Sequence, residues 1–546
     1  MIATRTYGAA VDGAYLALTT VRGEPVARLS LHSAFDRLDA RDETIELDVR
    51  ENGDTIEVAR SSTAWERAGL TIVCADDHLE LRAHVAGRGV LTDVHLLGGR
   101  AAAPGSTGFM PSATAAARLF TPNPGDPGKL ALSAGESAAI GVSGDGLPGR
   151  GHWFFTPAPL FFALDDLGIG LVAPVEELRF VEVEYRGGDR AFHLVLSYDG
   201  HTRVDGELHA PAVFLRPGVA DPYEGIRRHR DDLEPPARPA VEAPWWREPI
   251  FCGWGAQCHL ASRRGTGGPA EATQANYDSF LAALAEHGVV PGTIVIDDKW
   301  QDAYGTNEPD LRKWPDLKRW IADRHRQGQR VLLWWKAWDP EGLDPALCIR
   351  AADGRAVAVD PTNPRTRDLL RESMQRLLSP GGLDADGLKV DFTARTPSGA
   401  SLELHGDNWG IALLHELLSV VYAGAKEAKT DALVITQTPH PGFVDVADMI
   451  RLNDMLRIDD GMPYPAVVPQ MVHRAGVASA ACPELLIDTD DWTIPDKETW
   501  REYAELKPAL GVPSLYYATH LDLTGEALDD DDYALLARTW AEWRSR

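Results

Sequence analysis

Long hydrophobic runs are missing from this chain: no stretch reaches the roughly 18 apolar residues that a membrane-spanning helix needs. The opening MIATRTYGAAVDGAYLALTT joins no basic leader to a long apolar run and has no small-residue cleavage site, so no secretory signal is expected. Cysteine is scarce, with five in 546 residues. Cys74, Cys252, Cys258, Cys348 and Cys482 show no CxxC spacing and leave one over from any complete pairing, which argues for a reducing compartment. These absences predict a soluble, cytoplasmic protein. Positive charge is in deficit too: 54 Lys plus Arg against 81 Asp plus Glu give a formal net charge of −27. No Lys/Arg run builds a phosphate-tracking stripe, so neither nucleic acid nor a membrane is an expected partner. HxH and HExxH spacings are absent, as are fixed-period repeats and low-complexity tracts.

What is there is ordinary globular material, 44% apolar and 25% charged, long enough for roughly two to four domains. A homo-oligomer is compatible with it. From Thr44 to about Pro217 the pattern has period two. Ile45, Leu47 and Val49 alternate with polar residues, a Glu51-Asn52-Gly53-Asp54 turn follows, and Ile56 and Val58 resume the alternation. Similar strand pairs meet across Ala75-Asp76-Asp77-His78 and across Arg186-Gly187-Gly188-Asp189, which predicts an antiparallel β-sandwich. A short helix is expected to begin at Pro222, and EPPARPAVEAP, Glu234 to Pro244, has the proline density of a linker. The expected division is therefore a sandwich domain over 1–234, a linker over 235–249 and a second domain over 250–546.

In that second part, short apolar runs alternate with helical stretches, the grammar of βα units. IFCGWGAQ, TIVIDDKW, RVLLWWKAW, GLKVDF, ALVITQT, MIRLND, PELLIDTDDW and PSLYYATHL supply eight candidate strands in about 300 residues, the size of a (β/α)₈ barrel. DDYALLARTWAEWRSR is expected to close it as a helix. Barrel chemistry sits at the C-terminal strand ends. Here those ends carry Trp254, Asp297 with Asp298, Trp335 with Lys336, Asp391, Gln437, Asp454, Asp488 with Asp490, and His520.

Glycosidic cleavage needs one carboxyl to protonate the leaving oxygen and a second to attack the anomeric carbon or to activate water. Asp391 and Asp454 stand about two barrel repeats apart and suit that pair. Lys389 shares a strand face with Asp391, and its ammonium is expected to lower the Asp391 pKa. Asp448, Asp459 and Asp460 lie near Asp454 in sequence, and like charges there are expected to raise its pKa. Trp254, Trp300, Trp334, Trp335 and Trp338 cluster near strand ends, where flat faces can pack on sugar C–H groups. Alternation puts Trp334 and Trp335 on opposite sides, and Trp335 is taken as the one at the mouth.

IVIDDKWQ, GLKVDF and RLND, in that order, resemble the glycoside hydrolase clan of the melibiase-like α-galactosidases and related retaining α-glycosidases, over most of residues 250–522. The resemblance implies a retaining mechanism with Asp391 as nucleophile and Asp454 as acid/base. It further implies that Asp297, Asp298 and Lys389 contact the sugar, and that Arg451 holds substrate or a catalytic carboxylate. Trp254, Trp335 and Lys336 complete the expected substrate-binding set. No cofactor and no metal are required by this chemistry.

Departures from the pattern are local. TQTPHPGFVDVAD after strand five lacks the cysteine- and tryptophan-containing loop of many α-galactosidases and leaves little room for a helix. Lys336 is an added cation, able to meet an acidic group on an unusual sugar or to pair with a nearby acid. The arginine-to-acid spacing is one residue short, which makes Asp459 the reserve acid. No C-terminal β-sandwich is expected after the barrel, and Trp153 to Phe155 in GLPGRGHWFF read as a buried aromatic cluster. The function expected is a retaining, exo-acting α-glycosidase acting on a carbohydrate. Alternatives are a transglycosylase on the same scaffold, a metal-dependent hydrolase or isomerase built from His440, Asp454, Asp488 and His520, and a noncatalytic carbohydrate-binding protein.

Overall fold

The computed structural model describes residues 2–99, 107–109, 117–124, 129–142, 155–188, 191–238, 242–455 and 466–546. Its first part is antiparallel. The expected hairpin forms, with Thr44–Asn52 paired to Thr55–Ser62, and the ladder continues through Arg67–Cys74 to Leu79–Leu96. Ile56, Val58 and Arg60 are the buried, alternate residues of their strand, so period two translates directly into an inner face. Leu79–Leu96 also pairs with Ala191–His209, whose register shifts between Ser197 and Thr202. Strands Tyr7–Asp12, Tyr15–Thr20 and Pro25–Ser30 form a meander upstream of Thr44, ahead of where the alternation was read.

The second part is a parallel barrel. Its strands are β1 (Ile250–Cys252), β2 (Thr293–Ile296), β3 (Arg330–Lys336), β4 (Gly387–Asp391), β5 (Leu433–Thr436), β6 (Met449–Arg451), β7 (Leu486–Asp488) and β8 (Ser514–Leu515). Consecutive strands pair in parallel from β1 to β7, and β8 returns to β1. A single parallel bridge, Asp488 to Val512, joins the β7 and β8 sides. The fold is thus an antiparallel β-sandwich followed by a (β/α)₈ barrel.

Side-chain caps fix several helix starts. Asp316 accepts from the Arg319 N–H and Asp496 from the Thr499 N–H, while Asp529 and Asp532 form a reciprocal capping box before Asp530–Arg544. Leu317, Trp320 and Ile321 then bury one face of Leu317–Arg326. Between β5 and β6 the described chain makes only a 3₁₀ turn, Pro441–Phe443, as the short connection predicts. A small antiparallel sheet of Cys348–Ala351, Ala356–Val359 and Leu402–Glu403 is added beside the barrel. No helix among the described residues is long and apolar enough to cross a membrane.

Candidate active site

In the β3–β4 ladder Trp334 stands opposite Lys389, and Lys336 opposite Asp391. Residues paired across a parallel ladder point to the same side, so these four share the inner face. Trp335 is paired with Val390 and faces outward into the core. The placement of Trp335 at the mouth is therefore corrected. Trp334 is the one on the inner face, buried beneath the mouth and donating from Nε1 to Asp391 Oδ2 at 3.1 Å.

Arg451, fully buried at the end of β6, organises the centre. Its Nη2 donates to Asp391 Oδ1 at 3.0 Å and to Gln437 Oε1 at 2.9 Å. Its Nη1 donates to Asp454 Oδ1 at 2.9 Å and to Asp490 Oδ2 at 2.9 Å. Four Nη hydrogens thus meet four acceptors, carried at or just beyond the ends of β4, β5, β6 and β7. Asp391 and Asp454 keep 8% and 6% exposure whereas Asp490 has 0%, so only the first two reach the mouth.

The two mouth carboxyls are held differently. Asp391 also accepts from the Phe392 N–H at 2.9 Å, so three donors converge on it, an acceptor-only role that suits a carboxylate. Burial, reinforced by the charges of Asp490 and Asp391, outweighs the pull of Arg451 and pushes Asp454 up to about 8. Of the sequence neighbours expected to do this, only Asp448 is described, and it is turned to other partners. Asp448 is engaged by Lys426 Nζ at 2.8 Å and Tyr422 Oη at 3.0 Å, and Asp459 and Asp460 lie outside the described residues. Arg474, on helix Val467–Ala481, donates from Nη1 to the carbonyls of Leu452, Asn453 and Asp454 at 2.9, 3.1 and 2.7 Å and pins the turn carrying Asp454.

Lys389 and Asp391 feel each other's charge, but the hydrogen bonds of Lys389 go elsewhere. Its Nζ donates to Asp297 Oδ2 at 2.7 Å, and the Cys252 thiol donates to the same oxygen at 3.0 Å. Asp297 Oδ1 accepts from the Asp298 N–H at 2.9 Å, so Asp297 receives three donors and is 2% exposed. Asp298 is the freer of the two; Tyr304 Oη donates to it at 2.7 Å, and burial pushes it up to about 6. Lys336 pairs with Asp339 at 2.7 Å and lies 3.9 Å from the Tyr304 ring centroid, the simpler of its two expected fates. Trp254 opens a helix, Trp254–Arg264, rather than ending a strand, and packs edge-on against Trp492 at 5.6 Å.

Asp297, Asp298, Lys389, Asp391, Arg451 and Asp454 are linked in or around this centre, Lys336 stands beside it, and Trp335 is excluded. Sequence reading missed the acceptor roles of Gln437 and Asp490, the Cys252 thiol and Tyr304. Gln437 and Asp490 carried a signal, their place at strand ends; Cys252 and Tyr304 carried none. His440 accepts from the Gly442 N–H at 3.0 Å, while His520 stacks on His259 at 4.3 Å. Among the described residues no three His, Cys, Asp or Glu are spaced to hold a metal ion. Trp153 and Phe154 lie outside the described residues; Phe155 is buried.

Solved structures resemble the fold. A GH31 family sulfoquinovosidase from E. rectale, in complex with an aza-sugar inhibitor, matches with a TM-score of 0.63 at 12% identity over 98% of this chain and 82% of that one. The cycloalternan-forming enzyme from Listeria monocytogenes, with a pentasaccharide substrate, matches at 0.58 and 12% identity over 97% of this chain and 56% of its own. An α-galactosidase from Thermus thermophilus, with stachyose, matches at 0.54 and 15% identity over 90% of this chain and 99% of that one. The chain shares their fold. It spans just over half of the Listeria enzyme's length. No protein-family model matches the chain, and no curated protein matches its sequence.

Proposed function

We propose that the protein is a retaining, exo-acting α-glycosidase, with Asp391 as nucleophile and Asp454 as acid/base. One observation carries this reading: a single buried guanidinium holds two mouth carboxyls in unlike surroundings, one receiving three donors and one whose pKa burial raises. Glycosidic cleavage asks for that asymmetry. In the first step Asp391 forms a bond to the anomeric carbon as the glycosidic C–O bond breaks, and the Asp454 proton passes to the leaving oxygen. In the second, Asp454 takes a proton from water, whose oxygen attacks the same carbon and releases Asp391. Asp298 and Tyr304 offer polar groups to sugar hydroxyls, and Trp334 holds Asp391 from below. Interception of the glycosyl-enzyme by a second sugar would give transglycosylation, a variant favoured by the fold shared with a cycloalternan-forming enzyme. The five unpaired cysteines accord with a cytoplasmic setting.

The test is a panel of aryl α- and β-glycosides of glucose, galactose, xylose and arabinose, with a sulfoquinovoside added because a sulfoquinovosidase shares the fold. Cleavage of one α-glycoside is expected, with Asp391→Ala lowering turnover by at least about 10³-fold while remaining folded. Undiminished turnover in the variant would remove Asp391 from the chemistry.

A further inference from the structure

The sandwich domain reaches the centre through Thr156, buried just before strand Phe161–Leu164. Its backbone N–H donates to the Gln437 carbonyl at 3.0 Å, and its hydroxyl accepts from Gln437 Nε2 at 3.3 Å. The same hydroxyl lies 2.5 Å from that of Thr393. Gln437 turns its remaining amide atom, Oε1, to Arg451 Nη2 at 2.9 Å. This amide has one usable orientation, because reversing it would set its NH₂ against the guanidinium, donor to donor. Thr393 follows Asp391 by two residues, across Phe392 with its φ of +63°.

We infer that Thr156 is a positioning residue for the centre: through Gln437 it fixes the Arg451 guanidinium, and through Thr393 it fixes the turn that carries Asp391. A single hydroxyl of the other domain thereby sets both partners of the 3.0 Å Arg451–Asp391 contact. Its catalytic consequence rests on the glycosidase reading; its geometry does not.

The experiment uses the full chain. Thr156→Val removes the hydroxyl and keeps the side-chain shape, Thr156→Ala is the second variant, and Thr156→Ser restores the hydroxyl. Tyr223→Phe removes a different interdomain contact, 3.1 Å from Tyr223 Oη to His473 Nδ1, and reports on domain docking alone. On the best aryl glycoside, kcat of Thr156→Val is expected to fall about ten-fold with KM within about two-fold, while Thr156→Ser and Tyr223→Phe stay at wild type. Without any substrate, the Arg451 signals of protein labelled with nitrogen-15 arginine, identified by their loss in Arg451→Lys, should move in Thr156→Val and not in Thr156→Ser. Unmoved signals or an unchanged kcat in both hydroxyl-free variants overturns the inference, and so does an equal loss in Tyr223→Phe. If Asp391→Ala keeps its turnover, the glycosidase reading fails and the Arg451 signals alone decide the positioning.

Discussion

Four acceptors share one guanidinium, and Asp490 is the one carboxylate among them that the mouth never sees. It accepts from Arg451 and from the N–H groups of Asp491 and Trp492 at 2.6 and 3.1 Å, yet it has no exposure. Its effect on chemistry is therefore electrostatic, through Asp454, whose carboxyl stands at about 8 partly because of it. An acid must be protonated to act, so kcat/KM should fall as pH rises through about 8. In Asp490→Asn one negative neighbour is gone and Arg451 has one fewer competing carboxylate; both changes lower the Asp454 pKa. The alkaline limb should then move to lower pH by roughly one unit, read from the pH profile of kcat/KM. A limb that stays in place would assign the proton to another group. This pairing was out of reach of sequence, because Asp490 and Asp454 belong to different strand ends. The individual aspartates were legible, but the arginine that joins them was read only through resemblance.

At the scale of elements, helix Gly410–Ala428 begins without a side-chain cap. The sandwich supplies one: the N–H groups of Ile411 and Ala412 donate to the carbonyls of Phe180 and Leu178 at 3.1 and 2.9 Å. Gly410 makes the approach possible, with φ at +57° and a position where a Cβ would lie 2.1 Å from the Phe180 carbonyl oxygen. Gly410→Ala should destabilise the protein by about 2–4 kcal/mol, seen as a lower Tm in calorimetry. An unchanged Tm would mean that the junction yields freely. This junction leaves no mark in a sequence, since backbone carbonyls have no side-chain signature. The barrel strands do leave one, because strands buried on both faces read as continuous apolar runs, and all eight expected runs contain one. Their ends were less legible. IFCGWGAQ passes from strand into helix after Cys252, which is why Trp254 opens a helix. The Trp334–Trp335 choice needed the ladder partner, Lys389 or Val390, which alternation alone does not supply.

Across the whole molecule, the sandwich, its connecting helix Pro222–Leu233 and the barrel meet through histidines. His201 stacks on Trp409 at 4.4 Å, His473 meets Tyr223 of the connecting helix, and His229 on that helix is buried with neither ring nitrogen partnered. His440, in the loop after β5, has an unpartnered Nε2. Burial pushes His201, His229 and His440 down to about 3 and His473 to about 4, from an ordinary 6.5. All four stay neutral in the folded protein at pH values where the unfolded chain takes up protons. Their contribution is whole above about 6.5 and is lost as pH falls toward their folded values. Asp454 and Asp298, raised to about 8 and 6, work in the opposite sense, because the folded state holds protons that the unfolded state releases. Asp491, also raised to about 6, works with these two, and His193, lowered to about 4, works with the histidines, so five groups against three leave a net loss on acidification. Tm should fall by about 5 °C between pH 7 and pH 5. His229→Leu removes one of the five proton acceptors and should make that decline shallower, measured by calorimetry at matched ionic strength. Parallel Tm curves for the two proteins would take His229 out of the account and place the acid sensitivity elsewhere.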